Sequence, residues 1–201
     1  MKVLVVSYSL TGNNEAIARA MAAELAAEHV RITEPKPRTM GTIAADMMLN
    51  RTPRIDQGLE GLEGADLVVI VGPVWMGHVA APLRACLKRL KGRPCRYVFC
   101  SISGGADGPN PKLADDLKKR VGRAPAAVVD MHIADLLPAE PRPTREDTST
   151  YRLSVRDVES LTQAMVMRMQ ESGAIGGIEA QRMPCPERTG LGTPVIARGE
   201  P

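Results

Sequence analysis

The chain has 201 residues, 44% hydrophobic and 24% charged, a balance that fits one globular domain and excludes a disordered or fibrous chain. Its formal charge of +3, from 26 basic and 23 acidic residues, is too small to argue for nucleic acid, and an aromatic content of 2% leaves few rings for stacking on single strands. The longest apolar run, near residues 67–76, falls far short of the roughly 20 residues that cross a bilayer, so no membrane span is expected.

Lys2-Val-Leu-Val-Val-Ser7 is a short continuous apolar run, the pattern of a strand covered on both faces. Met1 and Lys2 enter it directly with no basic-then-apolar leader, so a cytoplasmic protein is expected. Residues 13–28 follow as a helix, with Ile17, Met21 and Leu25 at four-residue spacing. A weaker strand at 29–33 ends at Pro35 and Pro37. Residues 35–64 carry little pattern beyond a short Met-rich helix around 43–49. Asp66-Leu-Val-Val-Ile-Val71 reads as the most buried strand, and a helix over 79–91 buries Val79, Leu83, Leu87 and Leu90 while Arg84, Lys88 and Lys91 take its opposite face. Arg96–Ser101 is a fourth strand by β-propensity. A loop at 103–108 leads to a helix with Leu113, Leu117 and Val121, and Ala127–Met131 is a fifth strand. The Pro-rich stretch 138–144 reads as a loop, and Ser154 with Asp157 opens a last helix that ends near Ser172. The expected organisation is one domain over residues 1–172 and a C-terminal arm or disordered tail over 173–201. Cys86, Cys95, Cys100 and Cys185 form no C-x-x-C and no metal-ligand spacing with histidines, so free thiols in a reducing compartment and no metal are expected.

Five strands alternating with helices predict an α/β fold, a doubly wound parallel sheet with helices on both faces. Such sheets bind ligands beyond the carboxyl ends of their strands. The loop after the first strand, Ser9-Leu10-Thr11-Gly12-Asn13-Asn14, offers hydroxyls, the Asn13 amide and free N–H groups at a helix start, which together suit a phosphate monoester; Gly12 allows close backbone approach. The competing reading is a plain Ser/Thr/Asn helix cap. No lysine stands in this loop and no G-x-x-x-x-G-K-[ST] occurs, so a nucleoside triphosphate with magnesium fits poorly. After the third strand, Pro73-Val74-Trp75-Met76-Gly77-His78 contains the only tryptophan, and after the fourth Ser101, Ser103, Gly104 and Gly105 leave room beside a ring system. A flat ligand with a phosphate tail accounts for all three loops.

These three segments resemble the flavodoxin-like family of FMN-binding proteins, whose phosphate loop [ST]-x-T-G-N-T stands here as Ser9-Leu10-Thr11-Gly12-Asn13-Asn14. The resemblance covers roughly residues 1–171. It implies five parallel strands in the order 2-1-3-4-5 and non-covalent FMN. The phosphate would lie on residues 9–14, the isoalloxazine against 73–78, and the pyrimidine edge near 101–105, with the backbone of Met76, Gly77 and His78 near flavin N5. Asn14 stands where the family has threonine. The chain is slightly basic where electron-carrier flavodoxins are acidic, and residues 101–108 contain no aromatic. An open flavin face suits nicotinamide or quinone, so the likeness is nearer to the quinone and FMN reductases, such as the tryptophan-repressor-binding-protein-like group.

The expected function is therefore an FMN-dependent oxidoreductase that takes hydride from NAD(P)H, with NADH and NADPH not distinguished, and passes electrons to a quinone or similar small acceptor. Trp75 and Met76 would wall the flavin, Gly77 would admit the backbone near N5, and Ser103, Gly104 and Gly105 would hold its carbonyl edge. His78 is the candidate catalytic proton donor, the alternative being that only its backbone matters. His29 and His132 receive no role. Arg84 and Lys88 read as a solvated face, the alternative being attraction of a dinucleotide phosphate. Substrate contacts from residues 40–49, or from a second subunit of a homodimer or homotetramer, complete the expectation. The other readings are a one-electron carrier docking on redox partners and a flavin-free scaffold. A phosphoacceptor receiver domain is excluded by Ser7 and Gly72, where it needs carboxylates.

Overall fold

The computed structural model describes residues 1–36, 38–56 and 59–176. In chain order the elements are β1 (Val3–Ser7), α1 (Asn13–Glu24), β2 (Glu28–Arg31), α2 (Met40–Met48), β3 (Leu67–Val71), β4 (Val74–Trp75), β5 (His78–Val79), α3 (Arg84–Leu90), β6 (Arg96–Ser103), α4 (Leu113–Val121), β7 (Ala127–His132), α5 (Arg145–Thr150) and α6 (Val155–Glu171). One parallel sheet runs in the order β2-β1-β3-β6-β7, which is 2-1-3-4-5 once the short β4–β5 pair is set aside. The parallel α/β sheet is the one expected from the strand and helix alternation, and its order is the flavodoxin-like one that the resemblance implies.

Both faces of the sheet are covered, which is why its strands read as unbroken apolar runs. Leu4, Val6, Val68, Ile70, Tyr97 and Phe99 meet the inner stripes of α3 and α4, including Leu87 and Leu117. Val5, Val69, Val98 and Cys100 meet α1 and α6 through Ile17, Met21, Met165 and Met169. Burial pushes the Cys86 and Cys100 thiols up to about 12, so neither supplies a thiolate at neutral pH. The capping box expected at Ser154 is present: its hydroxyl accepts the Asp157 N–H and the Asp157 side chain accepts from the Ser154 backbone.

The expected helix over 79–91 starts later. Val79 is spent pairing with Val74 in the hairpin, and Ala81–Leu83, containing Pro82, forms a single 3-10 turn before α3. β6 runs two residues further than expected, placing Ser101 opposite Asp130 and Ser103 opposite His132. Arg84, read from its helical spacing as part of a solvated face, is only 3% exposed. Beyond the expected Pro-rich loop lies α5, whose signal, Thr144 with Asp147, repeats the capping-box pattern of Ser154. The expected tail falls mainly on residues 177–201, which with Cys185 lie outside the described residues. No helix among the described residues is long and apolar enough to cross a membrane.

At the carboxyl end of β1, the buried Ser7 Oγ lies 2.8 Å from His29 Nε2 on β2. Burial holds this imidazole below its ordinary 6.5; Arg19 and Arg31 act in the same direction and Glu15 opposes them. The folded protein then binds fewer protons here than the unfolded chain as pH falls below 6.5. Its contribution to stability is complete above that value and lost as pH drops through the folded pKa. Between about pH 7.5 and 5.5, the urea midpoint of the wild type should fall more steeply than that of His29→Gln. Equal slopes would remove His29 as the cause.

Candidate functional site

The loop after β1 enters α1 through Gly12, whose φ of 93° is left-handed, and no side chain caps the helix. The plain-cap reading of Ser9, Thr11 and Asn13 is thereby excluded. Ser9 Oγ accepts the Gly12 N–H at 3.0 Å, which draws the loop into a tight bend while the hydroxyl keeps its own proton to donate. The Asn13 amide, expected to face a phosphate, is turned inward instead: it donates to Tyr151 O at 3.0 Å and accepts from the Leu153 N–H at 3.2 Å. Asn14 does the same toward β6, donating to Ile102 O and accepting its N–H, both at 3.0 Å. Both side chains are therefore structural, and what the loop presents outward is its backbone N–H groups with the Ser9 and Thr11 hydroxyls. Glu15, the acidic residue nearest the helix start, is paired with Arg19 at 2.6 Å and Arg31 at 2.9 Å, which offsets its charge at this positive end.

The segment after β3 forms a two-residue β-hairpin. Met76 and Gly77 both have positive φ, 53° and 77°, the signature of the type I′ turn whose twist suits paired strands. Met76 is 72% exposed at its tip. Trp75 was expected to wall a ligand but turns away from the cleft: it meets Tyr8 edge-on at 5.9 Å, and the Arg38 guanidinium lies 5.7 Å over its ring. Arg38 is fixed by Glu34 and Asp46, so these three residues clamp the hairpin root. The Tyr8 phenol is pushed far up by burial and by Glu34, and stays neutral.

Between this hairpin and the loop after β6 lies a cleft of about 420 Å³, walled by Val74, Met76 and Gly77 on one side and by Ser103, Gly104, Gly105 and Asn110 on the other. The Ser103 hydroxyl is buried and has no protein partner. Ser101, also without a partner, is fully buried and does not line the cleft. Pro73 joins β3 to the hairpin, and Leu10 is exposed in the first loop. No aromatic side chain lines the cleft.

Arg145 and Thr148 of α5 complete the wall, and sequence reasoning missed both. The T-x-x-D pattern at Thr144 was the available signal. The functional reading likewise left out Asp130 and His132, which lie 3.3 Å apart on the strand beside β6, where Asn110 donates to Asp130 at 2.6 Å. A Cβ on Gly105 would sit 2.3 Å from that of His132, so the histidine packs directly against the cleft loop.

His78 does not meet the expectation of a proton donor in the cleft. Its ring points to a different cavity, with Nδ1 3.2 Å from Asp116 Oδ1 on α4 and without hydrogen-bond alignment. Burial raises the Asp116 carboxyl, but Arg120 and the Val79 N–H outweigh it and hold the group below the ordinary carboxylate value. Among the described residues no group of His, Cys, Asp and Glu side chains could hold a metal ion.

A family model described as NADPH-dependent FMN reductase matches residues 1–109, more than half of the chain. The chain belongs to this family. The matched span runs through the first loop, the hairpin and the start of the β6 loop, and membership assigns an FMN-dependent redox role. Among solved structures, a protein from Bacteroides eggerthii assigned as a flavoprotein shares 17% identity at a TM-score of 0.59, over 83% of this chain and 97% of that one. A flavoprotein from Lactobacillus acidophilus in complex with FMN shares 20% at 0.57, over 64% and 92%. These likenesses establish the fold. No curated protein matches the chain significantly.

Proposed function

We propose that this member of the NADPH-dependent FMN reductase family binds FMN without a covalent bond at the ends of β1, β3 and β6. In this reading NAD(P)H reduces the flavin and electrons pass to a quinone or similar small acceptor. The observation that carries it is the uncapped start of α1: a 12-residue helix whose first N–H groups point into a loop where both asparagine amides are committed elsewhere. Such a terminus favours an anion through its unpaired donors and its dipole.

The residues fit the cofactor. The hydroxyls of Ser9 and Thr11 and the N–H groups of residues 13 and 14 would take the phosphate, and the unpartnered Ser103 hydroxyl in the cleft wall would gain an acceptor in a flavin edge. Gly104 and Gly105 keep the backbone of that wall accessible, and the Met76–Gly77 turn would flank the ring. FMN supplies the hydride and electron chemistry when bound. The protein's part is orientation and exclusion: Trp75 braces the hairpin from behind rather than stacking in the cleft, which leaves the opening free for a second planar substrate. That openness supports a reductase over a one-electron carrier. Proton delivery is left to solvent at this opening, since His78 faces elsewhere.

The test is anaerobic addition of NADPH or NADH to FMN-loaded protein. Direct bleaching to the two-electron-reduced flavin is expected, and no bleaching by either donor would overturn the enzyme reading. In the same preparation Thr11→Ala should weaken FMN binding by about 1–3 kcal/mol through a lost charge-assisted bond. Fluorescence titration measures this, and unchanged affinity would move the phosphate off the loop.

A further inference from the structure

A second cavity, about 560 Å³, lies beside the hairpin and shares no lining residue with the cleft: Gly77 faces the cleft and its neighbour His78 faces this one. Its walls come from α2, α3 and α4. They carry Arg84, Lys88, Lys91, Lys119 and Arg120 against one carboxylate, Asp116. That carboxylate is already committed, with Arg120 Nε 3.0 Å from both of its oxygens and the Val79 N–H donating to it at 3.3 Å.

Arg84 is the decisive residue. At 3% exposure its guanidinium donates to Asp46 O at 3.1 Å, Arg51 O at 2.8 Å and Met47 Sδ at 3.1 Å, while its Nε is buried with no partner. None of these acceptors is a carboxylate. Burial and then Arg120 act against its charge, and the Asp116 and Asp46 carboxylates, not bonded to it, offset them in part. A buried guanidinium with no carboxylate bonded to it is costly, and residues that hold one in place beside three exposed lysines form a built anion pocket. A single negative charge would leave most of these cations uncompensated, whereas a phosphate group offers two charges and several acceptors to arginine and lysine donors.

We propose that this cavity binds a phosphate monoester or diphosphate group. Two sources share that chemistry: the phosphates of a dinucleotide reaching past the hairpin from the cleft, and a separate phosphorylated compound.

The test is isothermal titration of the full chain with inorganic diphosphate at low ionic strength, which requires neither flavin nor turnover and so can fail independently of the flavin reading. Saturable binding is expected. Lys88→Glu/Lys119→Glu, at exposed positions with an unchanged circular dichroism melt as control, should weaken it by at least about tenfold. Lys112→Glu/Lys118→Glu changes net charge equally outside the cavity and should leave it within about twofold. No binding by the wild type, or equal losses in the two double variants, would overturn the proposal. A KM raised in Lys88→Glu/Lys119→Glu supports the site with the dinucleotide as source, for both donors if the bridging diphosphate enters and for NADPH alone if the 2′-phosphate does. Both KM values unchanged while diphosphate binding is lost supports it with a separate compound.

Discussion

Asn14→Ala should lower stability by about 2–5 kcal/mol, read as a drop in urea midpoint at constant slope. β3 pairs with β6 only as far as Val71 opposite Cys100, and the Gly72 N–H donates to Cys100 O. Beyond that point β6 has no neighbouring strand on this side. Asn14 takes the strand's place: its amide receives the Ile102 N–H and donates to the Ile102 carbonyl, as a paired residue would. Alanine leaves a buried donor and a buried acceptor without partners, and each orphan costs about 1–3 kcal/mol. The same change loosens the first loop from the β6 loop, so FMN affinity should fall with stability. A variant as stable as the wild type would show that water or a shifted backbone replaces the amide at little cost.

Gly105→Ala should weaken FMN binding at least about tenfold, because two independent terms oppose alanine there. Its φ of 76° is left-handed, which costs a residue with a Cβ about 1–2 kcal/mol. That Cβ would also fall 2.3 Å from the Cβ of His132, a position that only backbone movement relieves. The movement must occur in the loop that forms one wall of the cleft, or in β7 where His132 pairs with Ser103. FMN fluorescence quenching measures the loss. His132→Ala in the Gly105→Ala background should recover part of it by removing the ring atoms, the nearest 2.6 Å from the added Cβ; no recovery would assign the effect to backbone conformation and the Cβ contact that alanine keeps.

The legible parts of this protein are those where a short-range rule acts alone. Val3–Ser7 and Leu67–Val71 read as strands because both faces of each are covered, and the Ser154 cap has its signal three residues away at Asp157. Thr144 and Asp147 carry the same cap, yet residues 145–153 receive no element from the sequence, between the proline-rich loop at 138–144 and the cap at Ser154. The hairpin was less accessible. Nothing local says that Val79 leaves the helical stripe of Leu83 and Leu87 to pair with Val74, since that choice depends on Tyr8 and Arg38 holding Trp75. Side-chain direction was least accessible of all. Asn13, Trp75 and His78 occupy the expected loops at the expected strand ends, but each points to a partner distant in sequence: Tyr151 and Leu153, Arg38, and Asp116.

Sequence alone determined the alternation of five strands with helices, the three loops at the carboxyl ends and the resemblance that implies the strand order and that family membership supports, because hydrophobic period and loop chemistry are local properties of the chain. Tertiary structure decided which groups in those loops face outward. It turned both asparagine amides into braces, moved His78 into the basic cavity and buried Arg84 there. Hydrogen-bond partners and burial are set by residues up to 140 positions apart, and no local spacing encodes which of them will meet.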